Sequence, residues 1–201
     1  MTRNKFPQKK YPCMILCAGT SKRFGRNKML ADLAGKPLLQ HTIERVTNQV
    51  SDLAINGDPI EYSGFDLPVF PDAIGGKLGP LAGILTAMQW AALKGRKRVL
   101  TLSGDTPFVP NDWAVKLSDT PDNRIALPQI DGRSHQVCGL WPSDLAPDLR
   151  RFLQDGGSYK VRDFLAFHKV QMVEFAKTAD QDPFFNINTE ADMDTARQIL
   201  A

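Results

Sequence analysis

Short apolar runs that stop on a small or polar residue, each handing over to a loop or a helical stripe, constrain this chain more than any other feature. Residues 13–17 stop at Ala18-Gly19-Thr20-Ser21, residues 53–55 at Asn56, residues 67–70 at Pro71-Asp72, and residues 98–102 at Ser103-Gly104-Asp105. Runs this short, rich in Leu, Ile and Val, read as buried strands. Between them Leu38, Leu39, Thr42, Ile43, Val46 and Val50 recur at helical spacing, with Pro37 placed as a first helical residue, and residues 81–90 form a strongly helical stretch ending near Gly95. Pro110 opens a further helix over 111–117. Residues 124–130 and 136–141 read as two strands around an Asp131-Gly132 turn, an antiparallel excursion. Helices follow at 145–154 and 159–168, a strand at 170–175, an extended piece at 184–188, and a closing helix at 189–200. Asn188 or Thr189 would cap that last helix, with Asp192 near the capping-box position. Strands alternating with helices predict an α/β fold, a Rossmann-like, mainly parallel open sheet with helices on both faces.

In such a sheet, ligands bind beyond the carboxyl ends of the strands. The polar residues expected there are 20–28, Asn56, Asp72 and Asp105, and a parallel sheet would gather all four groups on one edge. The first is also the most charged, because Lys22, Arg23, Arg26 and Lys28 fall within one short loop. A strand ending in small residues brings backbone N–H groups close to an anion, and these cations suit a ligand with several negative charges, a triphosphate above all. Neither the GxxxxGK[ST] spacing nor GxGxxG is present, so a solvated loop with scattered cations stays an equal reading. Asp105, between Gly104 and Pro107, is placed to hold a magnesium ion, which takes one or two protein carboxylates and completes its shell with phosphate and water; the alternative is a turn cap. Lys28 and Arg23 could neutralise transferring phosphates. Asp72 could accept a hydrogen bond from base or sugar, and Asn56 offers donor and acceptor, although both also suit turns.

Other classes of function are excluded or disfavoured. The net charge of +3 is more than supplied by Arg3, Lys5, Lys9 and Lys10, so the body is not a basic nucleic-acid-binding domain. Residues 1–11 read as a disordered basic leader, neither signal peptide nor membrane span, and 12–201 as a single domain. Cys13, Cys17 and Cys138 match no zinc spacing and read as small core residues of a cytoplasmic protein. The three histidines are scattered, so no nucleophilic triad stands out.

Assembled, these residues resemble the molybdenum cofactor guanylyltransferase family, within the larger group of nucleotidyltransferases. The likeness is carried by residues 16–28 (LCAGTSKRFGRNK), 35–38 (GKPL), 79–83 (GPLAG), 104–108 (GDTPF), Asp131-Gly132-Arg133 with His135, 139–141 (GLW) and 185–189 (FNINT). It implies GTP contacts from Leu16, Cys17, Ala18, Gly19, Lys28, Asn56, Asp72 and Asp105, with Mg²⁺ on Asp105 and catalysis by Lys28, Arg23 and Asp105. It places the molybdopterin substrate in the second half, with Arg133, His135, Ser158, Lys160, Asn186 and Asn188 as its polar candidates. The implied reaction is transfer of GMP from GTP to the terminal phosphate of the molybdopterin cofactor, by a cytoplasmic monomer in contact with no nucleic acid or membrane and, at most transiently, with cofactor-delivery or molybdoenzyme-maturation proteins. A cytidylyltransferase, a sugar-1-phosphate nucleotidyltransferase and a non-catalytic nucleotide-binding or delivery protein are the alternatives. Two positions depart from the family pattern. Ala18 stands where a glycine is usual and needs a negative φ; Asn27 stands where an aspartate is usual and removes a negative charge beside the phosphates.

Overall fold

The computed structural model describes residues 11–18, 27–76, 78–178 and 181–200. Its centre is β1 (Cys13–Leu16), fully enclosed and paired in parallel on both sides, in register Leu16 to Asn56 and Leu16 to Ser103. A 3-10 turn at Lys28–Leu30 then leads into a small hairpin of β2 (Asp32–Leu33) and β3 (Lys36–Pro37), whose turn puts Ala34 and Gly35 at positive φ. Pro37, expected to start the helix, instead pairs with Asp32 and precedes it. Helix α1 (Leu38–Thr47) buries the predicted stripe, and β4 (Leu53–Asn56) and β5 (Val69–Phe70) extend the parallel set.

Helix α2 (Pro80–Leu93) is apolar all round and almost wholly buried, as a helix between sheet and other helices must be. It leads to β6 (Arg98–Ser103) on the other side of β1. The chain thus steps from β1 outward in one direction and returns to the opposite side. This reversal opens the crevice at which α/β sheets bind ligands. After α3 (Trp113–Ser118), β7 (Ile125–Ile130) turns tightly through Asp131 and Gly132, both at positive φ, into β8 (Arg133–Ser134). The long second strand expected at 136–141 is shortened to β9 (Leu140–Pro142), which runs antiparallel between β6 and β7. The cause is local: the amide of His135 donates to Pro128 O and that of Cys138 to His135 O, so the chain folds into a turn there. Helices α4 (Ala146–Gln154) and α5 (Val161–Leu165), strand β10 (Val170–Glu174) beside β7, and α6 (Glu190–Leu200) complete the chain. The sheet order is β10-β7-β9-β6-β1-β4-β5, mostly parallel, with β8 off β7.

Side chains of β1 alternate between two cores. Cys13, Ile15 and Cys17 join α1 and α3; Met14 and Leu16 join α2, α4 and α5. Helices therefore cover both faces, as the pattern predicted. The third cluster matters most for the site: Ile187, Met193 and Ala196 pack on Ala31, Leu33 and Leu38. This docks α6 and the segment before it onto the β2–β3 hairpin, next to the strand ends. The predicted capping box is formed, since the Asp192 carboxylate accepts the amides of Asn188 and Thr189 at 2.8 Å and Thr189 Oγ1 accepts the amide of Asp192 at 3.1 Å. Tyr11, assigned to the leader, is within the described body: its carbonyl accepts the amide of Ser51, and its ring lies 5.6 Å under the Arg98 guanidinium. Residues 1–10 lie outside the described residues. No helix among those described is long and apolar enough to cross a membrane.

Arg98 is 0% exposed at the amino end of β6. Its guanidinium donates to Thr120 O at 3.1 Å, Thr120 Oγ1 at 2.9 Å and Arg124 O at 3.1 Å. Replacing it with methionine fills the volume but strands two carbonyls. The expected loss is about 2–4 kcal/mol, read as a lower urea midpoint at unchanged slope. A midpoint within about 0.5 kcal/mol of wild type would mean that water satisfies those groups. Arg98 lies at the opposite end of β6 from Asp105, so turnover per folded molecule should not change.

Candidate active site

The carboxyl ends of β6, β1, β4 and β5 are neighbours, and every described member of the predicted rim sits on them. Asp105 follows β6 and is 5% exposed. Its Oδ1 accepts Ser103 Oγ at 2.5 Å and Asn186 Nδ2 at 3.0 Å, and its Oδ2 accepts Lys28 Nζ at 2.5 Å. The Lys28 ammonium also donates to Ile187 O at 3.0 Å and Asn188 Oδ1 at 2.8 Å. The amide of Ile187 donates to Asp105 O at 3.0 Å, and Thr42 Oγ1 donates to Gly104 O at 2.9 Å. The carboxylate and the ammonium are therefore each held by side chains and backbone from several elements, which fixes their positions before any ligand arrives.

Two strands away, Asn56 Nδ2 donates to Asp72 Oδ1 at 3.0 Å and to Phe70 O at 3.2 Å. Adjacent strands lie about 4.8 Å apart, so the Asn56–Asp72 pair stands on the order of 10 Å from Asp105 across the end of β1. Burial raises the Asp72 carboxyl above the ordinary aspartate range, and the Asn56 amide draws it part of the way back. Helix α2 approaches Asn56 so closely that a Cβ on Gly83 would overlap the Asn56 carboxamide. Leu16 and Cys17 end β1 between the two pairs, and Leu16 O accepts the amide of Gly104. Ala18 has negative φ, since Ala34 and Asp131 are the non-glycine residues of positive φ among those described. Its methyl group is therefore accommodated where glycine would be usual. Gly19 and Arg23 lie outside the described residues.

The resemblance places Asn186 and Asn188 with the second substrate; in the structure their side chains meet Asp105 and Lys28. The reason is the packing of Ile187 into the hairpin cluster, which turns both flanking asparagines onto the rim. Of the remaining four, His135 stacks on Phe184 with centroids 4.9 Å apart, and its Nε2 is 3.0 Å from Asp182 Oδ2. Burial holds its pKa below the usual histidine value, against the pull of Asp182. Ser158 Oγ donates to Asp163 Oδ2 at 2.6 Å and accepts the amide of Lys160 at 3.2 Å, a turn that opens α5. Lys160 lines a groove with Pro80, Val137 and Tyr159, and Arg133 is exposed on β8. These four do not form one cluster with the Lys28–Asp105 pair.

Sequence reasoning passed over Ser103 and the Ile187 carbonyl. Ser103 stands two residues before Asp105 at a strand end, which was a readable hint. A backbone carbonyl carries no such signal.

A divalent cation fits this rim. Asp105 supplies one carboxylate, the number magnesium needs when phosphates complete its shell, and no group of three or more acidic, histidine or cysteine side chains capable of holding a metal occurs among the described residues. Cys13, Cys17 and Cys138 are buried thiols; burial pushes Cys138 up to about 12, which disfavours the thiolate form that a nucleophile needs.

Comparison with known proteins shows the family. The family model described as a MobA-like NTP transferase domain matches residues 13–172. A molybdenum cofactor guanylyltransferase from Rhizobium leguminosarum bv. trifolii is 42% identical over 93% of this chain and 91% of its own length. One from Acidiphilium cryptum is 41% identical over 91% of this chain and 92% of its own. The crystal structure of the molybdopterin-guanine dinucleotide biosynthesis protein A from Archaeoglobus fulgidus superposes with a TM-score of 0.72 at 22% identity, covering 94% of this chain and 98% of that one.

Proposed function

The chain belongs to the MobA-like NTP transferase family, and from that premise we propose that the rim from Lys28 to Asp72 binds GTP and transfers its GMP to the terminal phosphate of the molybdopterin cofactor, releasing pyrophosphate. The reaction class, nucleotidyl transfer in molybdenum cofactor synthesis, is that of its relatives. The observation supporting the placement is that the Lys28–Asp105 and Asn56–Asp72 pairs lie on the same edge of the sheet, on either side of the end of β1.

An anionic phosphate oxygen is already a nucleophile and needs no general base, which agrees with a rim that holds no histidine among its described residues. The chain's task is to position two phosphates and offset their charge. Asn56 and Asp72 present an amide and a carboxylate to the nucleoside end, beside Leu16, Cys17 and Ala18. Lys28 lies where the phosphates would cross to Asp105, and Arg23 and Gly19 are assigned to the phosphates from the sequence resemblance. The family uses a divalent metal, and we assign magnesium to Asp105, with Asn186 and Ser103 orienting that carboxylate. When bound, the metal neutralises charge on the phosphates. Lys28 then exchanges its Asp105 contact for phosphate oxygens. Arg133, His135, Ser158 and Lys160 remain the polar groups assigned to the molybdopterin side. The enzyme is taken to be a cytoplasmic monomer.

The test is pyrophosphate release with Mg²⁺ and molybdopterin cofactor, comparing GTP with CTP. Release with GTP alone, and only when the acceptor is present, is the expected result. A preference for CTP would make the chain a cytidylyltransferase, and no release with either, together with tight nucleotide binding, would make it a binding module.

A further inference from the structure

Tyr62 plays no part in the proposed chemistry, yet it is 1% exposed and its hydroxyl lies between Cys17 and Asn27. It donates to Cys17 O at 3.1 Å, at the end of β1. It accepts from Asn27 Nδ2 at 3.0 Å, on the residue before Lys28. The Asn27 amide cannot be turned round, because its Oδ1 accepts the amide of Met29 at 3.0 Å and so caps the 3-10 turn that carries Lys28. The bonds therefore run in one direction, from the Asn27 amide to the Tyr62 hydroxyl to the Cys17 carbonyl.

The tyrosine is itself held rigidly. Its amide donates to Asp58 O and its carbonyl accepts the amide of Phe65. Its ring lies so close on the bare backbone of Gly57 that a Cβ there would overlap it, and packs 6.3 Å from the Phe65 ring. Gly57 directly follows Asn56, so the same short segment supplies one rim residue and the group that spans the loop.

We infer that Tyr62 and Asn27 are a positioning pair for the nucleotide, a buried donor relay that sets the distance between the stems of the loop and, through the capped turn, the place of Lys28. The inference rests on the transferase reading for its consequence and on geometry alone for its existence. Neither residue touches the reacting atoms.

Four variants separate this from a merely structural role. Tyr62→Phe removes the donor to Cys17 and the acceptor for Asn27 while keeping the ring. Asn27→Asp keeps the Met29 cap but offers Tyr62 only acceptor oxygens; the single phenol proton then goes to the carboxylate and leaves Cys17 O unpaired. Asn27→Ala removes cap and donor together, and the double variant Tyr62→Phe with Asn27→Ala closes a cycle. Tyr62→Phe should raise the KM for GTP about tenfold, with the KM for the molybdopterin acceptor and kcat changed less than about twofold; Asn27→Asp, which also adds a negative charge beside the phosphates, should raise the GTP KM at least as much. The double variant should be no worse than Asn27→Ala alone. Amide exchange at Met29 should quicken in Tyr62→Phe, although the substituted position is distant from it in sequence. An unchanged GTP KM with unchanged exchange, equal losses in both KM values, or fully additive effects would overturn the relay. Should the wild type release no pyrophosphate from GTP, the transferase reading falls, and the exchange rates still decide the relay. Were Tyr62→Phe unable to fold, Asn27→Ala, with the tyrosine ring intact and no charge added beside the phosphates, carries the KM test, and an unchanged GTP KM there would overturn the relay.

Discussion

Replacing Asp105 with asparagine is expected to lower turnover by on the order of 10²–10³-fold while the protein stays folded. The substitution keeps the shape of the side chain but removes its charge and one acceptor oxygen. With the amide oxygen at the Oδ1 position, Ser103 Oγ and Asn186 Nδ2 keep their acceptor, while the amide NH2 faces Lys28 Nζ, which is left with Ile187 O and Asn188 Oδ1. What disappears is the charge of the carboxylate to which the proposal assigns the cation. The measurement is steady-state pyrophosphate release across a Mg²⁺ series, with thermal unfolding beside it. The loss should persist at saturating Mg²⁺, and titration with Mn²⁺ in the presence of GTP should show the metal bound more weakly. Near-normal turnover at saturating Mg²⁺ would show that the metal is held elsewhere, and the assignment of Asp105 would fail.

The second large effect is expected at Lys28. Lys28→Met should also reduce turnover by about 10²–10³-fold, but for a different reason. The stem of the side chain is preserved and the ammonium is lost, so the phosphates lose their cation. Asp105, with its side chain only 7% exposed, loses its ion-pair partner, and Ile187 O and Asn188 Oδ1 each lose a donor. A carboxylate left without its partner in so closed a place costs stability, so the melting temperature should fall as well. Arginine should rescue poorly. A compact ammonium can point its protons at acceptors on three different residues, whereas a planar guanidinium presents them in one plane. Turnover of Lys28→Arg close to wild type would show that charge alone matters there and that the geometry of the three acceptors does not.

Both predictions concern residues that could be picked out before any coordinates. Asp105 and Asn56 were legible because a strand's end is legible: a β-branched, apolar run stops where the next residue cannot pack, and in a parallel sheet such stops face the same way. Lys28 was legible as a cation in a loop after the first strand. Its partners were not. The resemblance names Asn186 and Asn188 among the polar candidates for the molybdopterin side, and a motif names residues without placing them. The strand expected over 136–141 failed for a comparable reason. Its composition is strand-like, but the turn from His135 to Cys138 is fixed by a hydrogen bond to Pro128 on the neighbouring strand, a long-range contact to which propensity is blind.

By itself, then, the sequence determined the class of fold and the edge of the sheet on which chemistry could occur, because period and punctuation are local properties of the chain. Tertiary structure alone decided what Lys28 and Asp105 touch. Ile187 enters the cluster formed by Ala31, Leu33 and Leu38, and that burial carries two asparagines and a carbonyl from the far end of the chain onto the lysine–aspartate pair. Tyr62 reaches Cys17 and Asn27 in the same way, across a turn whose close approach depends on the missing side chain of Gly57. Apolar burial specifies how much surface is hidden and has no direction of its own, so which polar groups arrive with it becomes visible only when the packed chain is seen.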